Sequence, residues 1–323
     1  MKALVTGCAG FIGSRLCGKL LDDGLEVTGI DYLSDYYSPD LKRQNLRAFL
    51  AQRNFCFLES DLVVADIRSA VTDSDYLFHL AAQPGVRSSW RSNFGVYERN
   101  NILATQRLLE YAKDSERLKK FVFASSSSVY GQTVVDKVSE EHPTRPFSPY
   151  GVTKLAAEHL CSLYEGNYGL PVVSLRFFTV YGPAQRPDMA FSRLIRAALT
   201  GETFIVFGDG TQERDFTYVD DVVQGLLLAA LTDHGKGVYN IGGGHVMSLN
   251  DVIKVVEDIM HETIPLENLP AQKGDIRRTS ADISKISSDF GYRPQWDIYD
   301  GIRRQLEHAK DVFFSEPQSQ SHW

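Results

Sequence analysis

Short apolar runs alternate with longer stretches of helical periodicity through the first half of this 323-residue chain. Lys2–Thr6, Glu26–Asp31, Phe55–Asp61, Tyr76–Ala82, Lys120–Ser125 and Pro171–Phe178 read as strands, each bounded by turn residues and too short for a stable helix. Phe11–Asp23, Phe94–Lys113 and Gly151–Tyr168 carry apolar residues at helical spacing. Strands alternating with helices predict βαβ units, and so a parallel sheet covered on both faces. After Tyr181-Gly182-Pro183 the rhythm loosens into a strand at Phe204–Phe207, turn clusters, and helices at Leu249–Met260 and Gly301–Val312. A helix from Asp220 and a strand at Val238–Ile241 look like a return to the sheet.

The pattern predicts an α/β fold: a doubly wound parallel (Rossmann-type) sheet over residues 1–181, to which 215–244 returns. A smaller mixed α/β substrate domain takes 182–214 and 245–323. The best apolar run, VVQGLLLAAL at 222–231, is too short for a membrane span. A net charge of −7 argues against nucleic acid, whose phosphates need a basic face, but leaves room for small anions held by local arginines. RLKK at 117–120 reads as a solvated face. Cys8, Cys17, Cys56 and Cys161 form no Cys-x-x-Cys pair, and the histidines show no metal-ligand spacing. The expectation is buried free thiols, no metal and a cytoplasmic location.

Between the first strand and helix stands TGCAGFIG, with glycines at 7, 10 and 13. Glycine permits the tight turn, close approach of backbone to a pyrophosphate and close packing of helix on strand, and the helix N-terminus offers N–H groups to phosphate. Such a turn also occurs for steric reasons alone. Asp31 ends the second strand roughly 20 residues on, where an acid meets ribose hydroxyls. No arginine follows it in DYLSDYY, which favours NAD over the 2′-phosphorylated form. Asp61 ends the third strand and could cap the adenine side.

FVFASSSSVYG at 121–131 welds four serines to a buried strand. In a parallel sheet, ligands sit beyond the carboxyl ends of the strands, so these hydroxyls face the cofactor crevice rather than forming a linker. SPYGVTK places Tyr150 and Lys154 at i, i+4 on one helix face. An ammonium near a phenol favours the phenolate and makes it a usable base. By itself the pair could be an ordinary surface pair; the glycine turn and the serines give it a chemical context.

These motifs, with HLAAQ (79–83), RFFTVYGP (176–183), FGDGTQERDFTYVDD (207–221), YNIGG (239–243) and GDIRRTSADISK (274–285), resemble the extended short-chain dehydrogenase/reductase family over nearly the whole chain. The resemblance implies that Tyr150 is the catalytic acid/base, that Ser126 hydrogen-bonds the reacting oxygen, and that Lys154 holds the nicotinamide ribose. It implies NAD contacts at Phe11, Ile12, Leu62, Leu80, Ala81, Ala82, Gln83, Asn100 and Ser125 besides the glycines and acids above. It also implies a homodimer through the helices at 94–113 and 151–168.

Dehydratases and decarboxylases of the family carry an acidic residue just before Val-Tyr-Gly; here Ser127 and Ser128 precede it. That disfavours dehydration, and less firmly decarboxylation. QPGVRSSW (83–90) and VYGPAQRPDMAF (180–191) resemble the UDP-glucuronate 4-epimerase branch. The resemblance implies inversion at C4 of a UDP-hexuronic acid through transient oxidation to a 4-keto sugar and re-reduction. Arg87, Ser88, Thr179 and Arg186 are candidate donors to sugar or carboxylate, since a guanidinium suits a planar anion; Arg186 could equally serve a loop salt bridge. Ser126, Ser127, Ser128, Met189, Phe207 and Gln212 complete the expected sugar-nucleotide site. Arg214 resembles the family's pyrophosphate-binding arginine, with Asp275 and Arg278 as weaker candidates. The competing readings are a UDP-glucose or UDP-N-acetylglucosamine epimerase, a UDP-glucuronate decarboxylase, and a non-catalytic NAD-binding regulatory protein.

Overall fold

The computed structural model describes residues 1–232, 235–271 and 276–315. Its frame is a seven-stranded sheet, parallel throughout, in the order β10-β6-β5-β4-β1-β2-β3. These strands are β1 (Lys2–Thr6), β2 (Glu26–Asp31), β3 (Phe55–Glu59), β4 (Tyr76–His79), β5 (Lys120–Ser126), β6 (Val172–Phe177) and β10 (Gly237–Ile241). Chain order reverses between β1 and β4, which opens the crevice where such sheets bind ligands.

Alternation along each strand splits the core in two. Val5 and Val122 pack with Leu16 and Leu20 of α1 (Phe11–Asp22) and with Val222 and Leu226 of α8 (Val219–Leu231). Their neighbours Leu4, Phe121 and Phe123 face the other way, onto Leu108 and Leu109 of α5 (Ala104–Ala112) and Ala157 and Cys161 of α6 (Pro149–Tyr168). Two shorter helices, α2 (Pro39–Leu46) and α3 (Arg68–Thr72), follow β2 and β3.

A second layer covers the carboxyl ends. Its three-stranded sheet has β9 (Glu213–Tyr218) between β7 (Thr179–Tyr181) and β11 (His245–Ser248), and β8 (Phe204–Phe207) pairs with β12 (Leu266–Leu269). Helices α7 (Ala190–Thr200), α9 (Leu249–Met260), α10 (Ser284–Phe290) and α11 (Ile298–Ser315) complete it. Thus α8 and β10 rejoin the large sheet, whereas β9, which precedes them, belongs to the small one.

Several local expectations are corrected. The strand expected to reach Ala82 ends at His79, and the third ends at Glu59, because the following residues turn out of the ladder to line the crevice. The single helix expected over 94–113 is α4 (Phe94–Tyr97), a π-helical segment Glu98–Leu103, and then α5. Asn101 in that segment turns inward: its Oδ1 accepts from the Gln83 N–H at 2.6 Å, and its Nδ2 donates to Thr153 at 2.9 Å. An extra residue in one turn is how a helix accommodates such a contact, and it recurs at functional sites. The expected thiols are free, but Cys56 is exposed rather than buried, since it points outward from β3 at the sheet edge.

Candidate active site

The crevice is built first by the glycine turn. Gly7 has φ +74°, and a Cβ there would lie 2.8 Å from the Ala81 nitrogen; one on Gly13 would lie 2.0 Å from the Gly7 carbonyl oxygen. Only bare backbone lets β1, α1 and the Leu80–Ala82 segment converge this closely. Gly10 caps α1 without any side-chain hydrogen bond, so first-turn N–H groups remain for a ligand. Asp31 accepts from the Leu33 N–H at 2.9 Å and the Ala9 N–H at 3.2 Å, which steadies the loop around the turn. Burial raises its carboxyl above the ordinary range, against the pull of those N–H groups and of Lys42. Asp61 accepts from the Val63 N–H and pairs with Arg99 at 2.6 Å.

On the far side, Ser148 caps α6 by accepting from the Gly151 N–H at 3.1 Å, and Pro149 opens the helix. A Cβ on Gly151 would come within 2.5 Å of the Ser128 carbonyl oxygen, so this glycine lets α6 close on the serine turn. Tyr150 thereby stands beside Ser126, whose Oγ accepts from the Ser128 N–H at 3.2 Å. Ser127–Val129 is a short 3-10 turn, so the serine run is a shaped corner. Every residue expected to hold NAD, from Gly7 through Asn100 and Ser125 to Lys154, lines this one crevice.

Electrostatics depart from expectation at one point. Lys154 does not lower the Tyr150 phenol here: burial raises it, and the opposing influences are the neighbouring Ser126 hydroxyl and the Arg186 charge. The Lys154 ammonium instead stands over the Phe123 ring, 4.8 Å from its centroid, and burial lowers it to about 8. A lysine lowered on folding costs stability while charged. That cost is present below about pH 8 and is relieved as pH rises toward the ordinary 10.5. Lys154→Met in the cofactor-free protein is therefore expected to raise stability at pH 7 by on the order of 1–3 kcal/mol. The gain should narrow above pH 8, as thermal unfolding at several pH values would show.

The expected sugar-nucleotide residues fall into two groups. Arg186 lines the crevice, its guanidinium held by both oxygens of Asp188 at 2.9 and 3.1 Å and 5.8 Å from the Tyr36 ring centroid. Ser88 meets Tyr97 at 2.6 Å, and the Tyr97 ring stands edge-on to Tyr150. Thr179 opens β7, and Met189 precedes α7. Farther out, Arg87 stacks on Phe207 at 4.4 Å, and Arg193 approaches the same ring at 6.0 Å. Gln212 donates to the Phe207 carbonyl, while Arg214 donates to the Glu213 carbonyl at 2.8 Å. Arg278 is engaged by Glu213 at 2.7 Å across a β-bridge. Asp275 lies outside the described residues.

Tyr36, Lys42, Tyr97, Asn101, Glu158 and Arg193 were not singled out from sequence. Tyr36 stands in DYLSDYY, directly after Asp31, and an inward Asn in an otherwise helical run is the signal for Asn101. Among the described residues no cluster could hold a metal ion, and no helix is long and apolar enough to cross a membrane. A bare-backbone turn, a helix N-terminus without a side-chain cap, an acid at the end of the next strand, and a phenol and an ammonium on one helix suit a nicotinamide dinucleotide lying along the crevice.

Residues 3–242 match the family described as the NAD dependent epimerase/dehydratase family. The chain belongs to that family. A Bacillus subtilis member described as an uncharacterized UDP-glucose epimerase is 45% identical, over 98% of this chain and 100% of its own. A UDP-glucuronate 4-epimerase of Thermodesulfobacterium geofontis is 38% identical over 95% of this chain and 96% of its own. Among solved structures, UDP-glucuronic acid 4-epimerase from Bacillus cereus, in complex with UDP-glucuronic acid and NAD, superposes with a TM-score of 0.94 at 44% identity. That match covers 97% of this chain and all of the other. The mixed layer over a parallel sheet is thus the architecture of this epimerase family.

Proposed function

We propose that this protein is an NAD-dependent UDP-glucuronate 4-epimerase, interconverting UDP-glucuronate and UDP-galacturonate. The observation that carries the reading is the convergence of Tyr150, Ser126 and the Arg186 guanidinium at one crevice, with serine rather than an acid at Ser128. NAD, when bound, supplies the reversible hydride acceptor that the reaction needs. Tyr150 takes the proton from the sugar O4 and returns it after the 4-keto sugar has turned over. Ser126 holds that oxygen and the phenol in line. Lys154, one helical turn along α6 from the phenol, would hold the nicotinamide ribose. Arg186 offers its planar fork to the uronate carboxylate in place of Asp188, which discourages loss of CO₂ from the β-keto acid.

In this reading the large sheet, with α8 and β10, carries the cofactor. The small layer, with Phe207, Gln212, Arg214 and Arg278 on its strands and loops, carries the nucleotide. The protein acts in the cytoplasm as a homodimer. Exposed Val96, Leu103, Val152 and Leu163 on the α4–α6 segments support that assembly. Leu163→Arg is expected to halve the particle mass in light scattering; a parent that is already monomeric would refute the dimer.

The test is proton NMR of the purified protein with UDP-glucuronate: UDP-galacturonate should accumulate without carbon dioxide release. UDP-xylose would mean a decarboxylase. The second reading, a neutral UDP-sugar epimerase, is favoured by the name of the Bacillus subtilis relative. Arg186→Ala separates the two: kcat/KM for UDP-glucuronate should fall by about 10²-fold more than that for UDP-glucose.

A further inference from the structure

Behind the catalytic residues, buried polar side chains tie together the elements that carry them. Glu158 lies one helical turn beyond Lys154 on α6, and Arg176 lies on β6; their side chains are only 5% and 6% exposed. Ser125, next to Ser126 at the end of β5, donates its hydroxyl to Glu158 Oε2 at 2.7 Å. Arg176 Nε donates to that same oxygen at 3.0 Å, and a terminal nitrogen pairs with Oε1. The other terminal nitrogen donates to Tyr130 Oη at 2.8 Å, and the Tyr130 hydroxyl passes the chain to Asn240 on β10 at 2.6 Å.

A buried ion pair is a poor device for stability alone, because desolvation offsets the attraction and an apolar pair of similar volume often serves as well. Here the carboxylate has a second partner, Ser125, and that partner is the backbone neighbour of Ser126, which stands beside Tyr150. We infer that Glu158 is a positioning residue for the reaction: through Ser125 it locks the end of β5, and so the Ser126 hydroxyl, to the helix that carries Tyr150 and Lys154. The inference rests on the epimerase reading for its kinetic arm only.

Glu158 also supplies negative charge beside Lys154. The groups around that ammonium are Glu158 and Cys161 on α6, His79 on β4 and the Phe123 ring on β5. His79 is buried and neutral at physiological pH, held between Thr6 and Thr105. Burial opposes the charged lysine and Glu158 supports it, while burial keeps the Cys161 thiol protonated and neutral. Loss of the Glu158 charge therefore moves the Lys154 titration to lower pH.

The experiment compares wild type, Glu158→Gln and the double variant Glu158→Leu/Arg176→Met, with folding checked by thermal unfolding. The single variant leaves Arg176 buried without its counter-charge and can fail to fold; the double variant removes both charges and keeps the test open. Lys154 is followed in protein labelled with ¹³C at lysine Cε, its resonance assigned by its loss in Lys154→Arg. The expected result is a Lys154 titration lower by about one pH unit, and kcat for UDP-glucuronate down by about 10- to 100-fold with KM changed by less than about threefold. A folded double variant with wild-type kcat, or with an unmoved Lys154 titration, overturns the inference. Should wild type turn over no UDP-sugar, the functional reading fails, and the lysine titration still decides the role of Glu158.

Discussion

Tyr150→Phe is expected to lower kcat for UDP-glucuronate by about 10²–10⁴-fold, the range a positioned general base contributes, while leaving the fold intact. The ring packs edge-on against Tyr97 at 6.3 Å, and phenylalanine keeps that contact. What is lost is the hydroxyl that meets Ser126 and would exchange the O4 proton. Burial keeps this phenol protonated at neutral pH in the ligand-free site, so wild-type kcat/KM should climb from neutral toward alkaline pH as the base form grows. The Arg186 charge opposes that burial, so Arg186→Ala should also push the climb to higher pH. Proton NMR of UDP-galacturonate formation at several pH values, with thermal unfolding alongside, reads all of this. Turnover by Tyr150→Phe within tenfold of wild type would sink the mechanism.

The other large effect is placed on the glycine turn. Gly13→Ala puts a methyl 2.0 Å from the Gly7 oxygen and 2.8 Å from its carbonyl carbon, both backbone atoms that no rotamer change can move. α1 must then lift from β1, at a cost of roughly 1–3 kcal/mol in stability. NAD affinity should fall by more than about 10²-fold, because the N–H groups of the helix end move away from the phosphates. Gly24→Ala is the control: its φ is +79°, but a Cβ there meets nothing within 4 Å. It should cost only the left-handed backbone term, about 1 kcal/mol, and leave NAD affinity unchanged. Calorimetric titration of NAD into both variants checks the contrast; equal affinities would show that the turn does not shape the cofactor site.

The parallel sheet, the glycine turn and the Tyr150/Lys154 pair were legible in the chain because each rests on local rules. Period-2 and period-3.6 patterns mark strands and helices within a few residues, and a turn needing bare backbone shows itself as glycine wherever it lies. The i, i+4 spacing of Tyr150 and Lys154 is set by one helix. The boundaries were less legible: Leu80–Gln83 continues an apolar strand pattern, yet it leaves the ladder because Gly7 packs on Ala81 from another strand. Likewise the π-helical segment at 98–103 answers to Gln83 and Thr153, which no helical period can see.

Charge partners were decided by tertiary structure alone. In sequence, Arg186 was a candidate donor to the sugar carboxylate and Arg278 a weaker candidate for the nucleotide; the fold ties Arg278 to Glu213 on the outer strands and stands Arg186 near the Tyr150 phenol. Lys154 was expected to tune Tyr150, yet burial dominates both groups, since desolvation depends on everything that excludes water and not on the spacing of two residues. Glu158 read as one more polar position on a helix, and only the arrival of Arg176 from β6 and Ser125 from β5 makes it the centre of a buried network. The chain by itself determined the fold class, the glycine turn and the helical pairing of Tyr150 with Lys154, because those follow from near neighbours. Which polar groups meet, and with what ionisation, was decided by contacts between distant segments and by the water they exclude.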